Sequence, residues 1–414
     1  MKIRILIKTF FFLLIITVLT GCDLFKDDEP EPIPTDEYLV SFEQQKSYLP
    51  SIIQIALQTV IGDYPELEDV MSEFKHAITV YTITYTTTYN GEPITASGLV
   101  SIPVTQGVEF PLFSFQNGTN TLHSEAPSVN PDSQLFLLLE FVASTGFIVS
   151  VPDYLGFGAS DQMFHPYLDK ESTVQTVTDM IKAVQELVNN HLDIEISDEL
   201  YINGYSQGGW ATMQLQKALE ENNTTGMNLK ASACGAGPYD LNFINNYILA
   251  KTDYPEPYFI GYIYNSYIQT GSITNATSDV FKSPYDERIS TLYDGTKSGE
   301  EINAQLTTSV AELFTDYYLQ NATTDNKFAS VISSLTNNSI EAWKTNVPTM
   351  IIHGTDDTFV PPQVSFNMYQ NFLLQGVNPE KLFYVPVPGA GHREGIIPAE
   401  AAALKWFIEL KHAY

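Results

Sequence analysis

Two kinds of hydrophobic pattern follow one another along this chain. From Ile78 to Val104 apolar and polar residues alternate, and Asn90-Gly91 within that stretch is a typical hairpin-turn pair. From Pro111 onward, short apolar runs alternate with longer segments of helical periodicity. Because strand–helix–strand successions form right-handed crossovers, the pattern predicts a mostly parallel sheet flanked by helices, which is an α/β fold.

Individual elements can be assigned from the length and period of each apolar run. The segment from Leu39 to Ile61 is predicted to form one or two amphipathic helices. Further helices are predicted from Leu135 to Ser144 and from Val174 to Asn189, with a strand from Phe147 to Val151 between them. Between Asp240 and Asn346 the alternation stops, and this stretch is helical in pattern and rich in tyrosine and asparagine.

The pentapeptide Gly204-Tyr205-Ser206-Gln207-Gly208 carries the first candidate chemistry. It lies between the apolar run 200–203 and a predicted helix beginning near Trp210. A serine at such a sharp turn adopts a strained backbone conformation, and side chains at the flanking glycine positions would collide. The turn also directs the first N–H groups of the helix toward negative charge beside the serine. An ordinary Gly-Ser turn is the alternative, so the pentapeptide needs a base and an acid to become a catalytic site.

A base and an acid follow in the chain, each after a predicted strand. The strand at 350–352 ends in a turn that contains Asp356 and Asp357, and the strand at 382–387 is followed by His392. His392 would take the proton of Ser206, and an aspartate would orient the imidazole. We prefer Asp357 as that acid, although adjacent carboxylates on a turn point in different directions. His353, just before the turn, is expected to pack or to bond to backbone.

With these residues the chain resembles the α/β-hydrolase superfamily and, within it, lipases and esterases of the secretory-lipase type. The resemblance runs from about Ile78 to the C-terminus. It also rests on the loop 151–160, on His165-Pro166-Tyr167 with the helix containing Asp179, and on the stretch 235–241. It implies an α/β-hydrolase fold of residues 39–239 and 346–414, with a helical cap at 240–345 inserted after the sixth strand.

The resemblance also implies an oxyanion hole and a substrate pocket. The N–H of Gln207 would be one oxyanion donor. Relatives often carry His-Gly-Thr after the third strand, where this chain has Asn117-Gly118-Thr119, so either Gly118 or Thr119 is expected to supply the other donor. Tyrosines of the cap would line the pocket or form the core of the cap itself; the candidates for the pocket are Tyr205, Tyr154 and Tyr262, and the other cap tyrosines considered are Tyr258, Tyr264 and Tyr267.

The N-terminus has the pattern of an export signal. Three cations precede an apolar run at 9–18, and Leu19-Thr20-Gly21-Cys22 closes it, which resembles a bacterial lipobox. We therefore expect a signal peptide at 1–21, lipidation of Cys22 and an acidic, Pro-rich tether at 22–38. The protein would then be exported and anchored to a bacterial membrane, with the outer membrane as the expected location. The leaflet, including the one at the cell surface, is left open by the sequence. A plain signal peptide or an anchor helix is the alternative.

Charge and cysteine content exclude other classes of protein. The formal net charge is −29, and removal of residues 1–21 takes away three cations and leaves −32. Such a surface repels nucleic acid. Cys22 and Cys234 are the two cysteines, so the fold does not depend on an intramolecular disulfide if Cys22 is lipidated. The sequence has no convincing metal-ligand spacing, and no cofactor is implied.

These observations predict a serine carboxylic-ester hydrolase, an esterase or lipase, that forms an acyl-enzyme. Its substrate would be a small-molecule, lipid or acylated-carbohydrate ester, and no obligate protein partner is implied. A prolyl-type serine peptidase shares the triad, but no region large enough for a propeller precedes the domain. A non-catalytic surface-binding lipoprotein would be expected to lack a triad member, and this chain retains all three.

Overall fold

Nine strands form one sheet in the computed structural model, which describes residues 35–62 and 64–413. In chain order they are β1 (Leu39–Tyr48), β2 (Ile78–Tyr89), β3 (Glu92–Pro103), β4 (Glu109–Gln116), β5 (Ile148–Pro152), β6 (Glu195–Tyr205), β7 (Asn228–Gly235), β8 (Thr349–Gly354) and β9 (Leu382–Val387). Their spatial order is β1-β2-β3-β5-β4-β6-β7-β8-β9. The predicted signal peptide, Cys22 and most of the predicted tether lie outside the described residues.

The sheet changes from antiparallel to parallel along its width. β1, β2, β3 and β5 pair antiparallel with one another in that order. β5, β4, β6, β7, β8 and β9 pair in parallel. The predicted fold class, a mostly parallel sheet flanked by helices, is therefore confirmed. Parallel strands end at the same edge of the sheet, and the segments that carry Ser206, Asp357 and His392 all follow strands of this parallel part.

Helices cover both faces of the sheet. The longer ones in the core are α1 (Pro50–Ile61), α2 (Gln134–Val142), α3 (Lys170–His191), α4 (Gln207–Glu221), α13 (Gln363–Leu374) and α14 (Ile396–His412). Adjacent strand residues are buried in different clusters: Leu112 packs with residues of α3 and α4, and Phe113 packs with residues of α2 and α14. Short 3-10 helices occur at Pro65–Glu73, His123–Glu125, Ala143–Thr145, Gly158–Ser160, Asn326–Phe328 and Pro379–Lys381.

The stretch predicted to be helical between the two parts of the core is helical. It contains α5 (Leu241–Leu249), α6 (Pro257–Gln269), α7 (Thr277–Val280), α8 (Tyr285–Leu292), α9 (Gly299–Asn303), α10 (Val310–Leu313), α11 (Asp316–Asn321) and α12 (Ala329–Asn338). This stretch follows the seventh strand, β7, and not the sixth. The number differs by one because Leu39–Tyr48, which was predicted to be helical, forms the additional strand β1. Aromatic residues form much of its interior, including Tyr264, Tyr267 and Tyr318, each at most 3% exposed.

The N-terminal prediction of one or two helices from Leu39 to Ile61 is wrong for its first half. Residues Leu39–Tyr48 form β1, which pairs with the edge of β2, and only the second half is helical, as α1. Of the ten residues of β1, only Leu39 is buried. A strand exposed on both faces shows no period-2 alternation, which is the signal that would have identified it.

The end of the predicted tether is bound to the core. The carboxylate of Glu186 on α3 accepts the backbone N–H groups of Glu37, Tyr38 and Leu39 at 2.7–2.9 Å. Asp36 bonds to the side chains of Asn190, at 2.7 Å, and His191, at 2.6 Å. Residues 36–38 are therefore part of the folded body, and the predicted boundary at 38 is a few residues too late.

Other elements agree with the pattern to within a few residues. Asn90 and Gly91 both have positive φ, 52° and 81°, and they join β2 to β3 as the predicted hairpin turn. The helices predicted at 135–144 and 174–189 are α2 and α3, and the strand predicted at 147–151 is β5. Cys234 is fully buried in β7.

Candidate active site

Ser206 lies at a sharp turn between β6 and α4. Its backbone has φ 59° and ψ −121°, a conformation that is strained for a residue with a side chain. The turn brings the backbone of Gly208 so close to β4 that a Cβ atom there would overlap the carbonyl oxygen of Gln116. A Cβ at Gly209 would likewise overlap the carbonyl oxygen of Gly235 on β7. The glycines are thus required because the turn is packed against its two neighbouring strands.

Ser206, His392 and Asp357 form one continuous hydrogen-bonded chain. Nε2 of His392 lies 2.8 Å from Oγ of Ser206, and Nδ1 of His392 lies 2.6 Å from Oδ2 of Asp357. A carboxylate at Nδ1 selects the tautomer in which Nδ1 carries the proton, so Nε2 accepts from the serine hydroxyl. In this arrangement the imidazole is able to receive the proton of Ser206.

The two adjacent aspartates lie in different environments. Asp357 is 4% exposed, and its Oδ1 accepts the backbone N–H groups of Phe359, at 2.8 Å, and Val360, at 3.0 Å. Asp356 is exposed and bonds to the hydroxyl of Thr355. Burial alone would raise the pKa of Asp357, but hydrogen bonds from His353 and His392 lower it to about 2. Asp357 is therefore the aspartate that faces His392 as an anion.

His353 contacts the same carboxylate from the other side. Its Nε2 lies 3.0 Å from Oδ2 of Asp357 and 2.9 Å from the carbonyl oxygen of Val360, and its Nδ1 lies 2.6 Å from Oγ of Ser365. Nε2 faces two acceptors, so it carries the proton, and Nδ1 accepts from the serine. His353 bonds to backbone as expected, but its contact with Asp357 is a feature that sequence reasoning missed. The sequence signal that could have indicated this contact is the position of His353 four residues before Asp357.

The loop after β4 lies directly beside the serine. A Cβ added to Gly118 would lie 4.0 Å from Cβ of Ser206 and 3.5 Å from the carbonyl oxygen of Tyr205. Thr119 is held by a 2.8 Å hydrogen bond between its hydroxyl and that of Tyr167. Gly118 and Thr119 line the same cavity as Ser206, and Gln207 is the first residue of α4. The three candidate oxyanion residues thus lie next to Ser206, the candidate nucleophile, and the geometry leaves both Gly118 and Thr119 as candidate donors.

His165 is hydrogen-bonded to the side chain of Gln207. Its Nδ1 donates to the carbonyl oxygen of Leu155 at 2.7 Å, and its Nε2 accepts from the side-chain amide of Gln207 at 3.0 Å. Burial lowers the pKa of His165 to about 4, against the opposing effect of these two hydrogen bonds, so the ring is neutral near pH 7. The sequence did not predict these contacts. The structure shows that it orients the side chain of a candidate oxyanion residue.

Two cavities open at Ser206. The larger one, which we call the catalytic cavity, has a volume of about 390 Å³. Besides Ser206, its wall consists of Phe115, Asn117, Gly118, Thr119, Asn120, Glu125, Ser133, Leu135, Phe136, Tyr205, Tyr258, Phe259, Phe359, His392, Arg393 and Ile396. The smaller one, which we call the side cavity, has a volume of about 40 Å³. Besides Ser206, its wall consists of Tyr167, Leu168, Pro238, Leu241, Ile244, Ile248, Tyr254, Phe259, Ile260, Ile263, Phe359 and Val360.

The candidate pocket tyrosines occupy different places. Tyr205 lines the catalytic cavity, and its hydroxyl donates to the carbonyl oxygen of His392 at 2.8 Å. Tyr154 is buried next to the loop 117–119 and donates to the carbonyl oxygen of Asn117 at 3.2 Å. Tyr262 donates to the carbonyl oxygen of Asn120 and faces a separate cavity next to His165. Tyr154 and Tyr262 therefore support the loop rather than line either cavity at Ser206, whereas Tyr258 lines the catalytic cavity.

An ion pair links the loop that carries His392 to the helical stretch 240–345. Nη2 of Arg393 lies 3.0 Å from Oε1 of Glu256, which directly precedes α6, and the guanidinium lies 5.5 Å from the ring centre of Phe359.

Among residues 35–62 and 64–413, no group of three or more His, Cys, Asp and Glu residues could hold a metal ion. Within the same ranges, no helix is long and apolar enough to cross a membrane.

Comparison with known proteins identifies the family and the fold. A family model described as serine aminopeptidase, S33, matches residues 135–378, which is more than half of the chain. No curated protein matches the sequence. Among solved structures, a protein of Legionella pneumophila that is named a hydrolase only provisionally is 23% identical, with a TM-score of 0.80 over 91% of this chain and 98% of that one.

Two further structures of the same fold have named activities. The rice cell wall degrading esterase LipA from Xanthomonas oryzae is 22% identical, with a TM-score of 0.73 over 92% of this chain and 98% of that one. Candida antarctica lipase A in its closed state is 16% identical, with a TM-score of 0.63 over 92% of this chain and 86% of that one. At these identities the likeness establishes the shared fold.

Proposed function

This chain belongs to the hydrolase family whose model is described as serine aminopeptidase, S33, and we propose that it is a serine carboxylic-ester hydrolase. It is a hydrolytic enzyme of the α/β-hydrolase type. The observation that carries the proposal is the hydrogen-bonded chain from Asp357 through His392 to Ser206. An ester is favoured because all wall residues of the side cavity besides Ser206, and about half of those of the catalytic cavity, are apolar or aromatic, and because an esterase and a lipase share the fold.

The first half of the reaction acylates the serine. His392 takes the proton of Ser206 through Nε2 as Oγ attacks the carbonyl carbon of the ester. The carbonyl oxygen becomes an anion, which the N–H of Gln207 and an N–H of the Gly118-Thr119 loop stabilise. The proton on Nε2 then passes to the alkoxy oxygen, the C–O bond breaks, and the alcohol leaves an acyl-enzyme on Ser206.

The second half repeats the same steps with water. His392 removes a proton from a water molecule, the resulting hydroxide attacks the acyl carbon, and the proton returns to Oγ of Ser206 as the acid is released. Asp357 stabilises the imidazolium that forms in each half and keeps Nδ1 protonated. Because Asp357 accepts four hydrogen bonds and its pKa is about 2, it stays ionised while His392 is charged.

The test compares the protein with Ser206→Ala on p-nitrophenyl esters of different acyl length. We expect hydrolysis by the native chain and a loss of at least about 10⁴-fold in kcat for the variant. A covalent fluorophosphonate probe should label the native protein and not Ser206→Ala. Equal rates for both proteins would rule out Ser206 as the nucleophile.

A serine peptidase is the second candidate, favoured by the description of the matching family and by one residue of the cavity wall. Glu125 lines the catalytic cavity, and a carboxylate there is suited to bind the free α-amino group of a peptide. An aminopeptidase would cleave alanyl-p-nitroanilide and lose that activity in Glu125→Gln. If the protein is an esterase, Glu125→Gln should hydrolyse p-nitrophenyl acetate at a rate within about threefold of the native rate.

We also propose that residues 240–345 act as a cap over the active site. Tyr258 and Phe259 from this stretch line the catalytic cavity, and Glu256 from the same stretch pairs with Arg393 beside His392. Substitutions of Tyr258 should therefore alter KM and substrate preference more than they alter kcat with the smallest esters. A Tyr258→Ala protein with unchanged preference would argue against a cap.

Export and lipid anchoring through Cys22 stay a proposal from the sequence. The supporting pattern is the lipobox Leu19-Thr20-Gly21-Cys22 and the acidic stretch that follows it. In a bacterial host that processes lipoproteins, the native chain should fractionate with membranes and incorporate labelled palmitate. Cys22→Ser should lose the label, and a label that persists in this variant would contradict the proposal.

A further inference from the structure

The two cavities at Ser206 differ in size by about an order of magnitude, at about 390 Å³ and about 40 Å³. We infer that the side cavity receives the acyl group of the substrate and the catalytic cavity receives the alcohol. The protein would then remove short aliphatic acyl groups, such as acetyl or propionyl, from bulky alcohols. This inference rests on the proposed ester hydrolysis and specifies its substrate class.

The assignment of the two halves of the substrate follows from the tetrahedral intermediate. Its carbon carries Oγ of Ser206, the oxyanion, the alkoxy oxygen of the leaving alcohol and the first carbon of the acyl chain. The alkoxy oxygen must lie next to Nε2 of His392, which protonates it, and the oxyanion must lie at the N–H groups of Gln207 and the Gly118-Thr119 loop.

The residues that contact the alcohol and the oxyanion line only one of the two cavities. His392, Gly118 and Thr119 are all on the wall of the catalytic cavity, whereas the wall of the side cavity contains none of them. The alcohol therefore extends into the catalytic cavity. The acyl chain is the remaining substituent of the tetrahedral carbon, and it extends into the side cavity, whose wall also includes Ser206.

The wall of the side cavity is suited to an unsubstituted alkyl chain. Leu241, Ile244 and Ile248 of α5 contribute side chains that are at most 8% exposed, and Ile260 and Ile263 of α6 complete this side. The polar atoms of its two tyrosines are already bonded: the hydroxyl of Tyr254 donates to the carbonyl oxygen of Phe359 at 3.1 Å. The hydroxyl of Tyr167 bonds to the hydroxyl of Thr119 at 2.8 Å. The wall contains no charged residue, so a charged group on the acyl chain would lose its hydration without gaining an ion-pair partner.

The volume of the side cavity limits the length of the chain. An apolar cavity of roughly 150 Å³ holds one benzene molecule, so a cavity of about 40 Å³ is suited to only a few carbon atoms and is too small for an aromatic ring. The catalytic cavity is large enough for an alcohol of drug-like size. Its polar wall residues include Asn120, Glu125, Ser133 and Arg393, which can bond to hydroxyl groups of such an alcohol. The combination corresponds to a short-acyl esterase and not to a lipase for long-chain fats.

The experiment varies the acyl chain at constant alcohol and then the alcohol at constant acyl chain. Esters of p-nitrophenol with two to twelve carbons in the acyl group give the first series. Acetates of ethanol, phenol, naphthol and larger alcohols give the second series. We expect kcat/KM to fall about tenfold or more from butyrate to octanoate, and to be maintained or to rise with the size of the alcohol.

Variants of the wall connect this preference to the side cavity. Ile248→Ala removes three carbon atoms from the wall and should raise kcat/KM for hexanoate relative to acetate by about tenfold. Ile273→Ala is the matched control, since Ile273 is a buried isoleucine of the same helical stretch that lines neither cavity. It should lose stability to a similar extent and keep the native chain-length profile. If Ile248→Ala does not fold, Ile244→Ala provides the same test.

Each outcome bears on one conclusion. An optimum at eight carbons or longer in the native protein would overturn the assignment of the acyl group while leaving ester hydrolysis intact. The assignment of the acyl group would also be overturned if Phe136→Ala in the catalytic cavity changed the chain-length preference and neither Ile248→Ala nor Ile244→Ala did. Hydrolysis of no ester in either series would instead refute the proposed function itself.

Discussion

Nε2 of His353 lies 3.0 Å from Oδ2 of Asp357, the same oxygen that bonds to Nδ1 of His392. Both histidines thus donate to one carboxylate oxygen, and the other oxygen is saturated by two backbone N–H groups. His353 is fully buried. The carboxylate is therefore held on every side, which fixes the position of the acceptor that orients His392.

Removal of this second donor should weaken the proposed triad. In His353→Leu, Oδ2 of Asp357 loses one hydrogen bond in a buried site, and we expect kcat to fall about 10- to 100-fold and stability by about 1–3 kcal/mol. The pKa of Asp357 should rise, because one of the groups that lower it is gone. An NMR titration of the Asp357 carboxyl should then show protonation at a higher pH than in the native protein. His353→Gln keeps an N–H donor and should recover part of both effects; a leucine variant in which Asp357 titrates as in the native protein would contradict this account.

The two adjacent aspartates provide a matched pair of substitutions. Asp357→Asn should reduce kcat by about 10⁴-fold, because an amide no longer stabilises the imidazolium and favours the wrong tautomer of His392. Asp356→Asn removes an equal charge one residue away, on an exposed side chain, and should leave kcat within about twofold. Steady-state hydrolysis of p-nitrophenyl acetate measures both. Comparable losses in the two variants would mean that the turn as a whole, and not Asp357, is responsible.

His165 should make the native protein sensitive to mild acid. Its pKa is about 4 in the folded state and 6.5 in the unfolded chain, so the unfolded state binds more protons between these values. Its contribution to stability should therefore be lost as the pH falls from about 6.5 to 4, by up to roughly 3 kcal/mol. Urea unfolding at several pH values checks this: His165→Gln should show a shallower loss than the native chain. His412→Gln, at a largely exposed site, is the control and should follow the native curve.

Glu140 should have the opposite pH dependence. It is 1% exposed on α2, its Oε1 lies 3.1 Å from Nζ of Lys46, and burial raises its pKa to about 7 against the opposing effect of that lysine. The folded state therefore binds more protons than the unfolded state between about pH 4.5 and 7, and stability falls as the pH rises through this window.

The corresponding variant is Glu140→Gln, which cannot ionise. It should be as stable as the native chain at pH 4.5 and more stable at pH 8 by roughly 2–3 kcal/mol. Lys46 keeps its 2.8 Å ion pair with Asp132 in this variant. Glu43→Gln, exposed on β1, is the control and should change the stability little at either pH. A glutamine variant that is less stable at pH 8 would show that the pair with Lys46 outweighs the burial of the charge.

Much of the site was predictable because it depends on local backbone features. The turn at Ser206 requires glycines within a few residues of the serine, and a parallel sheet brings the ends of β6, β8 and β9 to one edge. Local spacing thus predicted which three segments would meet. It did not predict β1, since an exposed edge strand lacks the alternation that identifies a strand from its sequence.

The sequence by itself determined the fold class, the turn at Ser206 and the order of the candidate serine, acid and base. Only the tertiary structure decided that Asp357 and not Asp356 faces His392, that His353 and His165 support the site, and that the serine opens into two cavities of unequal size. The physical reason is the range of the interactions. Periodicity and turn geometry are set by neighbours in the chain, whereas side-chain direction, hydrogen-bond partners and cavity volume depend on packing between segments that are distant in sequence.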